Sequence, residues 1–218
     1  MKTVLGIDEA GRGPIIGPLV IAGALFYEED NNTLKQLGIK DSKLITPKKR
    51  KILFEKIKKI AKSYEIILVE PLEIDQTLEG DSSNLNWLEA DKIIQIINLL
   101  NPDQAIIDCP SNNIAKYKDY IHSRLNNKNT KLIVEHKADL NYVESGAASI
   151  LAKVTRDKEI EEVKKEIGID FGSGYPSDPK TKEFIQKYWD KHSIIMRKSW
   201  QTYQNVLKKN RQKNLKDF

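Results

Sequence analysis

One cysteine and three histidines stand in the 218 residues, and no apolar run is long enough to cross a bilayer. Each shortage excludes a class. A lone Cys109 has no partner for an internal disulfide, and it shares no zinc-type spacing with His122, His136 or His192, so none of the four is assigned a ligand role. The longest stretch of low polarity, residues 14–27, is too short for a membrane span and is broken by Gly and Pro. No leader is legible, because Lys2 is followed by only a few apolar residues before Asp8 and Glu9. No repeat or low-complexity segment is present. These absences predict a soluble protein of the reducing cytoplasm, without a membrane anchor. A hydrophobic content of 39% suffices for a proper core, so global disorder is excluded as well. The length suits one mixed domain, or one domain with a small appendage.

Charge is unevenly placed. The chain carries +5 in total, but residues 197–218 hold seven Lys/Arg against Asp217 alone, a net of +6, which leaves −1 for residues 1–196. A basic arm on a near-neutral body suits a polyanionic partner; the competing reading is a solvated helix with a frayed end.

Hydrophobic patterning predicts strands at residues 2–8, 18–26, 64–69, 104–108 and 132–135. Helices are expected at about 46–62, 81–100, 114–125, 143–166, 181–192 and 199–209, with a rigid loop at 171–179. Thr46-Pro47 is an N-cap followed by proline at the first helical position. Pro71 stops the third strand. The small residues Gly146, Ala147, Ala148 and Ser149 suit close packing of a helix on a sheet. Three early strands followed by helix–strand alternation predict a mixed five-stranded α/β sheet covered by helices on both faces.

Carboxylates punctuate the strand exits. Asp8 and Asp108 each follow an apolar strand, and Asp139 follows a third after a short His136-Lys137-Ala138 link. Glu9, next to Asp8, can reach the same pocket from the exit turn. A lone acid after a strand is commonly a turn former or a helix cap. Three at neighbouring strand ends would instead repel one another unless a divalent cation sat among them. Hard oxygen ligands without His or Cys favour Mg²⁺ or Mn²⁺ over zinc. Two such ions suit phosphodiester hydrolysis.

Gly11-Arg12-Gly13-Pro14 with Gly17 invites comparison with a dinucleotide loop, but the next segment reads as a strand. A dinucleotide site needs a helix there to hold the pyrophosphate. A tight hairpin with exposed amides fits better, and its glycines let a nucleic-acid backbone come close.

Several blocks taken together are distinctive. They are Gly6-Ile7-Asp8-Glu9-Ala10-Gly11-Arg12-Gly13-Pro14, Lys40-Asp41-Ser42-Lys43, Ile107-Asp108, His136-Lys137-Ala138-Asp139, the run from Ala147 to Asp157 (AASILAKVTRD) and Gly172-Ser173-Gly174-Tyr175-Pro176-Ser177-Asp178. In this order, from residue 6 to about 203, the chain resembles ribonuclease HII, most of all its archaeal form. The resemblance implies a ribonuclease H-like fold with a helical C-terminal extension. Residues 1–196 would be the catalytic domain, the extension beginning near 170, and 197–218 a basic helix and tail. It implies endonucleolytic cleavage of the RNA strand in RNA·DNA hybrids and incision 5′ of single ribonucleotides in duplex DNA, leaving 3′-hydroxyl and 5′-phosphate ends. Roles in replication and ribonucleotide excision repair would follow.

Carried over onto this chain, Asp8, Glu9, Asp108 and Asp139 would be the catalytic, metal-binding acids, with Asp8 bridging two Mg²⁺ or Mn²⁺ ions. The Gly11-Arg12-Gly13 turn would read the 2′-hydroxyl. Tyr175 would stack on the deoxyribose beyond the scissile phosphate; without the resemblance it reads equally as a loop-packing tyrosine. Lys43 and Lys153 would contact phosphates. Residues 140–145 depart from the family pattern and add Glu144, which reads as a first-turn helix residue. Near the C-terminus, Gln212, Leu215 and Phe218 resemble a sliding-clamp (PCNA-type) binding motif, against the alternative of a frayed basic tail. A monomer is expected. Two competing functions remain at this point: another metal nuclease of the same fold, and a clamp-tethered hybrid-binding protein with a dead site.

Overall fold

The computed structural model describes residues 1–39, 45–80 and 84–214. The chain forms two compact units: Met1–Ala10, Val20–Leu68 and Asn86–Thr155 make the first, and Gly11–Leu19, Val69–Leu85 and Arg156–Phe218 the second. Lys43 and its neighbours in 40–44 lie outside the described residues, as do Leu215 and Phe218.

The elements in chain order are β1 (Thr3–Ala10), β2 (Leu19–Tyr27), α1 (Asn31–Gln36), α2 (Pro47–Ile60), β3 (Ser63–Val69), α3 (Pro71–Glu79), α4 (Leu85–Leu100), β4 (Gln104–Asp108), α5 (Ile114–Arg124), β5 (Lys131–Glu135), α6 (Ala138–Asn141), α7 (Val143–Ile167), α8 (Pro179–Tyr188) and α9 (Gln201–Asn214). The first unit is built on a five-stranded sheet in the order β3-β2-β1-β4-β5. β1 is the hub: it runs antiparallel to β2 and parallel to β4, and β4 runs parallel to β5. The expected mixed sheet is present. The strand neighbours that the acid argument required are neighbours.

One face of the sheet offers Ala10, Val20, Ala22, Ala24 and Phe26 to Leu34 of α1, Leu53 and Ile57 of α2, and Ala147, Ile150 and Leu151 of α7. Glycine at position 6 is a packing requirement. A Cβ there would stand 2.1 Å from the Glu144 carbonyl carbon and oxygen, so only glycine lets α7 start against β1. Ser145 then bonds the strand directly, its hydroxyl donating to the Ile7 carbonyl at 3.1 Å. On the other face Gly23 makes room for Ile96 of α4, beside Leu5 and Ile7.

The second unit has its own core of Ile15, Ile16, Ile160, Phe171, Phe184, Ile185, Met196 and Tyr203. It contains α3, α8, α9 and the second half of α7. Asp178 caps α8, its carboxylate accepting from Lys180 N at 3.0 Å. Asp75 of α3 binds the residues that open α9, accepting from Lys198 N and from the Ser199 amide and hydroxyl at 2.8, 2.9 and 2.6 Å.

Four local expectations need correction. β1 does not end at Asp8 but runs on to Ala10, because β2 keeps pairing with it as far as Ala10 opposite Val20. Pro71 does more than stop β3: it is the first residue of α3, where its missing N–H costs nothing. Of the helix expected from Asp81, residues 81–83 lie outside the described residues, Asn84 is not helical, and the helix runs from Leu85. Short α1 and α6 carry too few residues for a periodic signal.

Candidate active site

Asp8 and Glu9 sit inside β1, and alternation along a strand sends consecutive side chains to opposite faces. Asp8 therefore shares the face that carries α7, where Ser149 hydrogen-bonds its carboxylate and the Lys153 ammonium acts on it. Ser149 also accepts a hydrogen bond from Lys153 Nζ, so these two groups, on consecutive turns of α7, form one chain with Asp8 of β1. The Glu9 amide donates to Asp8 Oδ1 at 2.8 Å. Burial, above all, raises the Asp8 carboxyl from 3.8 to about 6; Lys153 and Ser149 oppose the rise, and the negative charge of Asp108 adds to it.

Asp108 is the last residue of β4, opposite Glu135 of β5. Its Oδ1 accepts from the Ala138 amide at 3.2 Å, which ties it to the residue before Asp139. Asp139 is buried in α6. That short helix follows Lys137, whose left-handed backbone (φ 58°) turns the chain after β5. His136 joins the same two strand ends through Nδ1 and the Cys109 carbonyl, 2.9 Å apart. The Cys109 thiol is pushed up by burial and then by the charges of Asp108, Glu9 and Glu89, which places those carboxylates within electrostatic reach of it.

The four expected acids thus gather as linked pairs: Asp8 with Asp108, Asp108 with the α6 turn holding Asp139, and Glu9 with Asp108 around Cys109. Among the described residues, however, no three acids, histidines or cysteines stand close enough to cage an ion. Strand alternation sends the Asp8 and Glu9 side chains to opposite faces of β1, while Asp108 at the end of β4 acts on Asp8 and, together with Glu9, on the Cys109 thiol. The donor chemistry still fits a hard divalent cation. A buried carboxylate raised to about 6 and lying in the field of another is relieved by a cation between them. Mg²⁺ in particular is commonly held by one or two carboxylates and completed by water and substrate phosphates, not by a full protein cage.

Glu144 lies in the first turn of α7, as expected, and is buried, its carboxylate accepting from the Asn31 side chain at 2.7 Å. That bond joins α7 to α1.

In the second unit the Gly-rich turn and Tyr175 come together. Gly11 has φ +85°, a conformation open to glycine, and a Cβ there would meet Arg156 and the Pro18 carbonyl at 2.7 Å. A methyl group on Gly13 would touch the Tyr175 ring at 3.7 Å. Tyr175 is 39% exposed, with the Arg156 guanidinium 5.2 Å from its ring centroid. Arg156, itself buried, donates to the Ser173 carbonyl at 3.0 Å and so fixes the loop that carries Tyr175. The amides of Ile15 and Ile16 bind the Gly174 carbonyl at 2.9 and 3.3 Å.

Arg197 holds the other side of the turn. Its side chain is fully buried, with Nη2 on the Gly11 carbonyl at 2.6 Å, Nη1 on the Arg12 carbonyl at 2.9 Å, and Nε and Nη2 on the Gly17 carbonyl at 3.1 and 3.0 Å. Trp200 adds a bond from its indole N–H to the Gly13 carbonyl at 3.3 Å and lies under the Arg197 guanidinium, 4.9 Å from ring centroid. By charge alone Arg197 belongs to the basic arm. It is a structural cation whose five N–H groups face in, and charge counting has no means of telling the two apart.

A family model described as Ribonuclease HII matches residues 5–203. The chain belongs to the ribonuclease HII family. It is similar to the Ribonuclease HII of Pyrococcus furiosus, 47% identical over 206 residues that make up 92% of this chain and 89% of that protein. The crystal structure of ribonuclease H2 from Pyrococcus horikoshii OT3 superposes with a TM-score of 0.88 at 41% identity, covering 96% of this chain and 99% of that one. A ribonuclease HII from Archaeoglobus fulgidus, solved in complex with PCNA, superposes with a TM-score of 0.82 at 36% identity over 91% and 95% of the two chains. Family membership makes the chain a divalent-metal-dependent endoribonuclease that acts on RNA·DNA hybrids. Among the described residues no helix is long and apolar enough to cross a membrane.

Proposed function

We propose that this chain cuts the RNA strand of hybrids and also incises duplex DNA 5′ of a single embedded ribonucleotide, leaving 3′-hydroxyl and 5′-phosphate ends. The observation that carries the second activity is the pairing of the Gly11–Gly13 turn with Tyr175, buttressed by Arg197 and Arg156. A hydroxyl-reading turn needs backbone groups in fixed positions, and Arg197 locks three carbonyls of the loop whose Gly11–Gly13 stretch is proposed to meet the ribose. Tyr175 offers a flat exposed face that tolerates C2′-H2 and crowds a 2′-hydroxyl, which favours a deoxyribose on one side of the cut.

Asp8, Glu9, Asp108 and Asp139 are the residues that would hold Mg²⁺ or Mn²⁺. Two bound ions would supply an activated water and neutralise the leaving oxygen. Asp8, raised by burial and by Asp108, would be relieved by such a cation, which supports it as the acid shared by two ions. Ser149 and Lys153 hold its carboxylate in place, so Lys153 acts on Asp8 as well as offering a positive charge to phosphate. Lys43 keeps its proposed phosphate contact, although it lies outside the described residues.

Changing Tyr175 to Ala should slow incision at a single ribonucleotide about 10-fold or more while slowing cleavage within a long hybrid less than about threefold, a loss the size of one stacking contact. Equal slowing of both substrates would remove Tyr175 from junction reading. Arg12 to Ala should weaken both substrates alike, as a phosphate contact does.

The tail is proposed to bind a sliding clamp through Gln212, Leu215 and Phe218. Gln212 is exposed at the end of α9, and a relative of this family was solved with PCNA. Deleting 212–218 should leave cleavage of short duplexes intact and abolish clamp binding by calorimetry; undiminished binding would dispose of the motif. A monomer working in the cytoplasm in replication and ribonucleotide repair completes the reading.

A further inference from the structure

We infer that the outward face of α2 is a second nucleic-acid contact, gripping the backbone of duplex that flanks the cut. This rests on the reading of the chain as a nuclease of duplex substrates. Residues 47–62 carry eight Lys/Arg against Glu55 alone, a net of +7, more than the last 22 residues and more than the whole chain. Totals over residues 1–196 conceal this, because acids elsewhere cancel it. The C-terminal arm is also weaker than its count, since Arg197 is buried.

α2 packs inward through Leu53 and Ile57, which join the core beneath β2. At 3.6 residues per turn the side opposite them carries Lys48, Lys51, Glu55 and Lys59, all exposed. From Lys48 to Lys59 the stripe is about 16 Å long, the rise of about five base pairs along a duplex.

The placement of these cations argues against mere solvation. Lysines that serve a helix belong near its C-terminus, as Lys58 and Lys59 do. Lys48, Lys49, Arg50 and Lys51 instead crowd the positive end of the dipole, and the first turn holds no acid. The three exposed lysines there, Lys48, Lys49 and Lys51, oppose the dipole and one another, so the helix does not favour them; a polyanion does. The free amide end is not the feature, because Pro47 brings no N–H and Thr46 Oγ1 accepts from Lys49 N at 3.4 Å. A membrane surface is a poor occupant. The apolar face is spent in the core, which leaves Ile52, 52% exposed, as the only large apolar side chain of this helix fully in solvent.

The test measures kcat and KM on a ribonucleotide-containing duplex of about 40 base pairs across a salt series. The variant Lys48→Gln/Lys51→Gln/Lys59→Gln should raise KM about 10-fold at about 0.15 M salt and leave kcat within about twofold. The slope of log KM against log salt should fall by about 2 to 3, close to 0.9 for each phosphate no longer neutralised. Replacing the same three by Arg should restore both. A second variant, Lys48→Glu/Lys51→Glu, should raise KM further while melting no lower than wild type at low salt, since it relieves the dipole. An unchanged KM and slope in both variants overturns the inference and assigns the face to another anionic partner. If wild type leaves the duplex uncut, the ribonucleotide reading itself fails, and this inference with it.

Discussion

Asp108→Asn should abolish cleavage, by about 1000-fold or more, and at the same time make the metal-free protein harder to melt. The two effects share one cause. Asp8 is buried and raised to about 6, and the charge of Asp108 is one of the causes. A carboxyl raised in the folded state favours folding while protonated, and that stability is present below about pH 4 and lost as pH rises through about 6. At pH 8 in chelator the whole penalty is in force, about 3 kcal/mol for a shift of this size. Removing the Asp108 charge relieves part of it, so Tm should rise by about 1–3 °C at pH 8 and not at all near pH 4. Asn keeps an oxygen for the Ala138 amide, so the α6 turn survives the substitution. Added Mn²⁺ should raise the wild-type Tm more than that of the variant. A variant that melts lower at pH 8 in chelator would contradict the electrostatic account of the site.

Arg197 should be the costliest single residue of the second unit. Changing it to Met keeps the bulk but strands the buried carbonyls of Gly11 and Gly17 and the partly buried carbonyl of Arg12. At about 1–3 kcal/mol for each of the three acceptors left unmet, the loss comes to about 3–9 kcal/mol. That corresponds to a Tm lower by about 10 °C or more. Arg197→Lys should recover only part, because one ammonium cannot span three carbonyls in the guanidinium's plane. The neighbouring Lys198→Gln is the control, since its side chain is exposed, and should change stability by less than about 0.5 kcal/mol in urea. Equal losses at 197 and 198 would mean that the Gly-rich turn is held by something other than this arginine. The Arg197→Met variant should lose discrimination for a ribonucleotide before it loses hybrid cleavage.

The sequence was informative where chemistry is local and silent where it depends on folding. Strand residues 104–108 and 132–135 were legible from apolar runs bounded by polar turns, whereas the adjacency of β1, β4 and β5, which the acid argument had to assume, is supplied by the fold. The two-residue extension of β1 past Asp8 was not legible, because two acids followed by an alanine look like a strand exit until β2 is seen pairing with them. Ser149 looked like a small packing residue; only the fold shows that its hydroxyl faces Asp8. The basic arm and the basic helix illustrate a general weakness of charge sums. Arg197 counted as surface and is core, whereas the surplus on α2 vanished into the total for residues 1–196. Proline carried more than a stop signal at both Pro71 and Pro179, each the first residue of a helix. Tyr175 and Gly13 are 162 positions apart in sequence, and nothing local to either reveals that they meet.

Cleavage of labelled duplex DNA carrying one internal ribonucleotide, in Mg²⁺ and in Mn²⁺ beside an all-DNA control, tests the central claim most directly. The account predicts one cut, on the 5′ side of the ribonucleotide, with a 3′-hydroxyl end and no cut in the control. Cleavage of long hybrids without this incision would contradict the roles given to Gly11–Gly13 and Tyr175, and equal cutting of the all-DNA duplex would contradict ribose recognition altogether.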